Sequence, residues 1–319
     1  MRNMYLGELL DACTKSSSIV IKLHEIQNEK FRNFCDSKWL YPIGVFRFLS
    51  LYLKNKVFSS KNIGYKLAIV SIVKNEGKYL EEWIEYYNSI GVDHIYIYDN
   101  ESIDNTEEIC NKYSDKVSYF KINGKVRQCD AYNDALNRYG NSCEYMAMID
   151  SDEFIFAPPT NENILGKITS HFQSNKKVGG LAINWEMFGS SGYTKKPDGR
   201  VTDNFIYRAT DNFEKNKHIK TICNPRKVAG FVNPHYAVYM PGYYAVDAED
   251  NVSKGAFTEV VHNKELRINH YFTKSKEEFL AKRARGMADN LDIRKISDFD
   301  EHDRNEVFDD SLKKYNNNF

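Results

Sequence analysis

From Lys66 onward the chain alternates short apolar runs with amphipathic stretches, the pattern written by a βαβ architecture. Leu67-Ala68-Ile69-Val70-Ser71-Ile72-Val73 is apolar almost throughout, as a parallel strand covered on both faces must be. Lys74-Asn75-Glu76-Gly77 breaks the run. Leu80, Trp83, Ile84, Tyr87 and Ile90 then recur at threes and fours, one face of a helix that Gly91 closes. His94 to Tyr98 is a second strand, and Asp99 to Thr106 is a polar turn suited to cap a helix starting near Glu107. Val117 to Ile122 predicts a third strand, and Tyr132, Ala135, Leu136 and Tyr139 stripe another helix. A fourth strand, Tyr145 to Ile149, runs directly into Asp150-Ser151-Asp152-Glu153-Phe154. Open α/β sheets collect ligands beyond the carboxyl ends of their strands, where loops converge and helix N-termini point their amides outward. The polar clusters after the first, second and fourth strands are therefore expected to face one crevice.

The flanks differ in texture. Residues 1–64 mix helical spacing with an aromatic and basic stretch that runs from Trp39 through Phe46, Arg47, Tyr52 and Lys54 to Phe58. It is too interrupted to span a bilayer and reads as a helical arm packed on the main domain, with a membrane-surface helix as the alternative. Beyond Tyr271 the pattern is again helical: Ser275 with Glu278 forms a capping box, and Leu280, Ala284 and Met287 form a stripe. Lys282, Arg283 and Arg285 on its polar side read as a solvated face, with a phosphate-facing or lipid-facing surface as the sharper alternative. Three zones follow: an arm over 1–64, an α/β domain over 65–272 and a helical extension over 273–319.

Composition narrows the classes. With 319 residues, 42% of them apolar and 14% aromatic, the chain can bury a large core. Its 44 basic and 44 acidic residues cancel, so nothing indicates a nucleic-acid partner. The six cysteines show no C-x-x-C pair, which argues against both a zinc knuckle and a disulfide framework and fits a reducing cytosol. No run approaches the ~20 apolar residues of a membrane span, and the first residues lack the layout of a signal peptide. A cytoplasmic protein, with peripheral contact at the inner face of the membrane as an option, is expected. The sequons at Asn100 and Asn251 accordingly carry little weight.

Asp150 and Asp152 flank one residue at a strand end, where i and i+2 side chains of an extended chain project to the same side. Carboxylates that close repel unless a cation lies between them, and Mg2+ or Mn2+ is the natural partner because it also accepts water and phosphate oxygens. In a chain with 28% charged residues a chance D-x-D is the plainer reading. The apolar strand before it and the polar clusters at the same edge favour the metal. Such an ion neutralises charge developing on a departing diphosphate. Neither a G-x-x-x-x-G-K-[ST] loop nor a G-x-G-x-x-G turn is present, so ATPase and dinucleotide readings lack support.

Taken in order, Ile72-Val73-Lys74-Asn75-Glu76, a helix with Trp83, Asp99-Asn100-Glu101-Ser102-x-Asp104-x-Thr106 and Ile149-Asp150-Ser151-Asp152-Glu153-Phe154 resemble the GT-A glycosyltransferases. The chain is similar to family 2 and, through Trp185 to Gly192, Lys220 with Pro225 and Asn269 to Ser275, more closely to family 92. The resemblance runs over residues 66–285 and implies a Rossmann-like, mostly parallel central sheet. It also implies roles. Val73, Lys74, Asn75, Glu76, Asp99, Arg127, Gln128, Ser151, Lys220 and Lys274 would bind the donor, Asp99 receiving the base. Asp150 and Asp152 would hold Mn2+ or Mg2+ with a later histidine, His270 or His235. An inverting transfer needs a base, for which Glu186 comes first and Asp203 second. Trp185, Phe188 and Gly189 would meet the acceptor. Asn100-Glu101 departs from the Asp-Gly common in family 2, which alters the pocket expected for the base. The implied activity is metal-dependent transfer of a hexose such as galactose from a UDP-sugar to a glycan or glycolipid hydroxyl in surface polysaccharide or lipopolysaccharide synthesis. A non-catalytic binding module of the same fold and a sugar nucleotidyltransferase are the competing readings.

Overall fold

The computed structural model describes residues 2–57, 63–160, 162–286 and 294–316. Four helices come first: α1 (Arg2–Lys15), α2 (Ser18–Leu23), α3 (Glu29–Cys35) and α4 (Tyr41–Val57). α1 and α4 meet so closely at Gly44 that a Cβ there would run into Thr14 and the Leu10 carbonyl, which only glycine avoids. Phe58, the last member of the aromatic stretch, lies outside the described residues.

The alternating region then folds much as its periodicity predicts. β1 (Tyr65–Val73) is buried from Leu67 to its end, and α5 (Gly77–Ser89) buries Leu80, Trp83, Ile84 and Tyr87. β2 (His94–Asp99), α6 (Thr106–Lys112), β3 (Val117–Lys121), α7 (Gln128–Tyr139) and β4 (Cys143–Met148) follow. β1 pairs in parallel with β2 and with β4, and β2 with β3. Its side chains alternate between layers: Leu67, Ile69 and Val73 join the cluster around α5, while Ala68, Val70 and Ile72 join Ala131, Tyr132 and Ala135 of α7. Val73 lies opposite Asp99 and Asp99 opposite Lys121, so these strands end level and their loops emerge side by side.

Past β4 the sheet is no longer purely parallel. Residues 149–152 turn into β5 (Glu153–Phe156), followed by α8 (Ile164–Ser174), β6 (Val178–Met187), the single turn α9 (Val201–Asn204) and β7 (Tyr207–Arg208). β8 (Ile219–Cys223) then inserts antiparallel between β4 and β6. β9 (Val228–Phe231), β10 (Ala237–Tyr239), β11 (Tyr244–Val246) and β12 (Val252–Ser253) lead to β13 (Arg267–His270), which pairs with both β5 and β6. The main path runs β12-β11-β6-β8-β4-β1-β2-β3. The sheet is thus mixed α/β, parallel in its first half, with helices at both ends of the chain. The arm caps the hairpin β9-β10, where Leu9, Ala12 and Cys13 pack on Ala229, Val238 and Met240.

The C-terminal segment comprises α10 (Lys276–Ala284), α11 (Ser297–His302), β14 (Val307–Phe308) and α12 (Ser311–Asn316). The Ser275 and Glu278 capping box opens α10. The predicted stripe is displaced by one position: Phe279 is buried against Phe272 and Phe299, whereas Leu280 is exposed and Met287 lies outside the described residues. Nor is the extension purely helical, because β14 pairs with β7. Asp309 fastens it, accepting hydrogen bonds from Arg267 at 2.7 Å and Arg208 at 3.0 Å. Burial opposes ionisation of Asp309, but Arg267 and Ser311 outweigh it and draw the carboxyl down from 3.8 to about 2. A lowered folded-state value stabilises above the ordinary one and is lost on acidification. Asp309→Asn should therefore cost roughly 1–2 kcal/mol in urea unfolding at pH 7, a deficit that shrinks as the pH falls below about 4; a deficit constant with pH would refute this assignment.

Candidate active site

The loops that leave the level ends of β1, β2 and β3 lock one another. Asn75, in the left-handed region with φ of 53°, donates its N–H to the Ser102 hydroxyl at 2.8 Å and accepts from the Ile103 N–H at 2.8 Å. Asp104 accepts from the Gly77 N–H at 3.0 Å and the Thr106 N–H at 3.1 Å, bridging the N-termini of α5 and α6. The Asn100 amide donates to the carbonyls of Ile122 and Gly124, each at 2.8 Å. These loops, the 149–152 turn, Trp185 of β6, Lys220 of β8, His270 of β13 and the inner side of α10 enclose a cavity of about 690 Å³.

Asp150 and Asp152 stand in a turn, not an extended strand: the Glu153 N–H returns to the Asp150 carbonyl at 3.1 Å. The two carboxylates consequently find different partners. Asp150 is ion-paired with Lys220 at 2.8 Å and accepts hydrogen bonds from Gln128 at 2.8 Å and Tyr132 at 3.2 Å. Lys220 is buried and also lies 3.7 Å from Glu153. Burial works against its charge, yet Asp150 and Glu153 outweigh that and hold the ammonium well above its usual range; burial pushes the Glu153 carboxyl well up. Asp152 pairs with Lys282 of α10 and faces the His270 Nε2 at 3.7 Å. Burial opposes its ionisation, but Lys282 and then His270 hold the carboxyl well below the ordinary range. The His270 imidazole is lowered by burial, against the pull of Asp152, which keeps it neutral as a metal ligand must be.

A hard divalent ion takes one or two carboxylates and fills its remaining positions with water and substrate phosphate oxygens. Asp152 and His270, buried side by side in the cavity wall, fit that requirement. Asp150, whose oxygens are engaged by Lys220, Gln128 and Tyr132, does so less well. Among the described residues no cluster of three or more metal-ligating side chains converges. The wall is strongly cationic: Lys74, Lys125, Lys220, Lys282, Arg283, Arg285 and Arg294 outnumber Glu76, Glu101, Asp150 and Asp152 by three. Each of these acids is paired, Glu76 with Arg285 and with Lys274 at 3.6 Å, Glu101 with Lys74 at 3.7 Å.

Of the residues singled out in the sequence, Val73, Lys74, Glu76, Gln128, Ser151, Lys220, Trp185, His235, His270, Asp150 and Asp152 line this cavity. Others stand behind it. Asn75 and Asp99 hold loops, Asp99 accepting from the Ser102 N–H at 2.9 Å and from the Tyr119 hydroxyl. Arg127 turns away into the arm, paired with Asp130 at 2.8 Å and donating to the Ile21 carbonyl at 3.2 Å. Lys274 backs Glu76, Phe188 packs on Tyr271 in the core, and Gly189 abuts Arg304. His235 is fixed by the Ile219 carbonyl at 3.0 Å and stacks edge-on to Trp185. Burial brings its imidazole down to about 3.

Neither Glu186 nor Asp203, the expected bases, lines this cavity. Side chains alternate along β6, so Trp185 facing the cavity puts Glu186 on the other side, where Asn216 at 3.0 Å, Asn263 at 2.6 Å and Arg208 at 3.3 Å enclose it. Asp203, in α9, does not line the cavity either. The Lys282, Arg283 and Arg285 cations, read foremost as a solvated face, line the cavity instead, together with Asn100 and Phe272, which the motifs contained, and Lys125 and Arg294, which they did not. The signal for α10 was present in the clustering of Lys282, Arg283 and Arg285 after a capping box.

The sequence model of glycosyltransferase family 92 matches residues 70–299. A family 92 protein of Oryza sativa subsp. japonica is 29% identical over 147 residues, covering 45% of this chain and 25% of its own length. One of Ricinus communis is 30% identical over 150 residues, covering 45% and 26%. The chain thus spans about a quarter of the length of the curated relatives it matches. Among solved structures, S. aureus TarS 1–349 in complex with UDP-GlcNAc is similar with a TM-score of 0.35 at 17% identity, over 50% of this chain and 45% of that one.

The buried lysine offers a direct check of the cavity floor. Lys220→Met leaves Asp150 without its cation and should lower stability by roughly 2–4 kcal/mol in urea, while adding Asp150→Asn should restore at least ~1 kcal/mol. If the double variant is no more stable than the single one, the two groups are not coupled as described.

Proposed function

The chain belongs to glycosyltransferase family 92, and from that premise we propose that it transfers a sugar from a nucleotide-diphosphate donor, a UDP-sugar first among the candidates, to a hydroxyl of a glycan or glycolipid. The observation that carries this reading is the cationic surplus of the cavity around Asp152 and His270. Breaking the bond between sugar and diphosphate leaves negative charge on phosphate oxygens. Preorganised cations in a site screened from water stabilise that charge far better than solvent does. Lys282, Arg283 and Arg285 from α10, with Arg294 beyond it, supply such cations from one side, while Lys74 and Lys125 supply them from the loops after β1 and β3.

Asp152 and His270 would hold the divalent ion, whose chemistry there is Lewis-acid neutralisation of the departing diphosphate. Glu76 and Asp152, whose carboxyls are held low against the push of burial by Lys274 with Arg285 and by Lys282, are weak bases, so their contribution is not proton removal. Asn100, bound to two carbonyls of the neighbouring loop, fixes the wall at the end of β2. Trp185, whose buried indole N–H has no protein partner among the described residues, packs on His270 with ring centroids 4.3 Å apart and holds that imidazole in place. A hexose such as galactose, and an acceptor in surface polysaccharide or lipopolysaccharide synthesis, complete the proposal.

The test is release of nucleoside diphosphate from a panel of nucleotide sugars with Mn2+. We expect release from at least one donor, and a loss of at least ~100-fold for Asp152→Asn in a chain whose circular dichroism spectrum at about 25 °C stays that of the folded protein. Mn2+ binding followed by electron paramagnetic resonance should weaken at least ~10-fold in His270→Ala. Binding of every donor without release would identify a binding module, and pyrophosphate released from a nucleoside triphosphate would identify a nucleotidyltransferase; either outcome overturns the proposal.

A further inference from the structure

The outward side of α4 departs from the rule that a surface helix turns polar residues to water. Its inner side packs through Gly44 on α1 and through Phe48 and Leu51 on the α1 and β9-β10 cluster. The outer side carries Val45, Phe46, Leu49, Tyr52 and Leu53, a single stripe by helical spacing, and every one of them is exposed, Phe46 at 74% and Leu53 at 60%. Trp39, in the short turn of 3-10 helix Lys38–Leu40 immediately ahead, is 81% exposed. Charge is biased along the same stretch. Between Ser37 and Val57 the sequence holds Lys38, Arg47, Lys54 and Lys56 and no acid, in a chain whose net charge is zero.

We propose that this face rests on an anionic lipid bilayer, with Trp39, Phe46 and Leu53 in the headgroup region and the flanking lysines on lipid phosphates. Aromatic and aliphatic groups at the depth of the headgroups, beside cations and without carboxylates, are the chemistry such a surface selects. A second copy is a poor occupant, because an isologous contact would bring the exposed Lys38 and Lys54 of each chain together with no acid in the stretch to receive them. The contact lies in the plane of the membrane: α4 has 17 residues, and no helix of the described residues is long and apolar enough to cross. The arm that would dock is fastened to the cavity rim. Arg32 donates to the carbonyls of Lys125 at 3.1 Å and Val126 at 2.7 Å, and Gln27 accepts from the Lys125 N–H at 2.9 Å. Docking through α4 therefore fixes one wall of the cavity relative to the bilayer, whatever the cavity transfers.

Trp39 makes the test specific, since Trp83 and Trp185 are 0% and 8% exposed and already shielded from water. The full chain is mixed with vesicles of phosphatidylcholine alone or with phosphatidylglycerol, and binding is followed by flotation and tryptophan emission. We expect binding to the anionic vesicles at least ~10-fold tighter than to neutral ones, weakening with salt, with a blue shift absent from Trp39→Phe. Phe46→Asp with Leu53→Asp should weaken it at least ~10-fold while the circular dichroism melt stays that of the unaltered chain. No flotation with anionic vesicles, or equal flotation by the double variant, would overturn the proposal. A lipid-free dimer that the same two substitutions dissolve would overturn it too, by giving the face to a second copy.

Discussion

A carboxylate withdrawn from water must meet a cation, and around this cavity that rule governs what the chain does. Asp150, Asp152 and Glu76 stand around the cavity, and each is answered by a lysine or arginine from a distant part of the sequence, while Glu153, its carboxyl pushed up by burial, lies behind Lys220. Lys220 comes from the antiparallel β8, Lys282 and Arg285 from α10. The desolvation cost of such groups is recovered only with close geometry. Insertion of β8 between β4 and β6 and the return of α10 over the sheet edge are thus tied to the same set of charges. Because each acid lining the cavity is paired and cations remain in excess, the cavity wall carries a net positive charge.

The wall opposite α10 is held by other means. Val126 has φ of 57°, a conformation that a β-branched residue adopts only when its surroundings enforce it. The enforcement comes from the arm, through Arg32 and Gln27, and from the buried set of His24, Asp130 and Arg127, which pins α2 to the start of α7. The N-terminal helices are therefore part of the site's framework and not an appendage. A cation in the sequence next to a ligand-binding loop, as Arg127 is, has two ways to be satisfied; here backbone carbonyls and Asp130 take it before any ligand does.

What the sequence conveyed follows the same physics. Period-two and period-3.6 apolar patterns are local, so β1 to β4 and α5 to α7 were legible, as was the single edge at which their loops meet. β8 was not, because Lys220 in the middle of Ile-Lys-Thr-Ile-Cys hides a fully buried strand behind a charge. Asp150 and Asp152 both line the cavity as expected, but from a turn closed by the Glu153 N–H and not from an extended chain, so they meet different cations. Trp185 and Glu186 illustrate a finer limit. Strand alternation guarantees that one faces the cavity and the other does not, but only the pairing of β6 with β8 and β13 decides which.

Lys282 poses the remaining question of the site, since its ammonium occupies the carboxylate that a divalent ion would use. The two uses are linked by charge. Asp152 would hold such an ion only with the Lys282 ammonium moved off its carboxylate, and the ammonium would then be free to pair with an anionic group in the same cavity. Ligand and α10 are then coupled through one carboxylate: whatever strengthens the hold of α10 on Asp152 must weaken the ion by the same free energy, and the reverse. Phe279, packed against Phe272 and Phe299, anchors the helix backbone independently of the Lys282 ion pair, so a change of partner by that side chain would not require the helix to unfold.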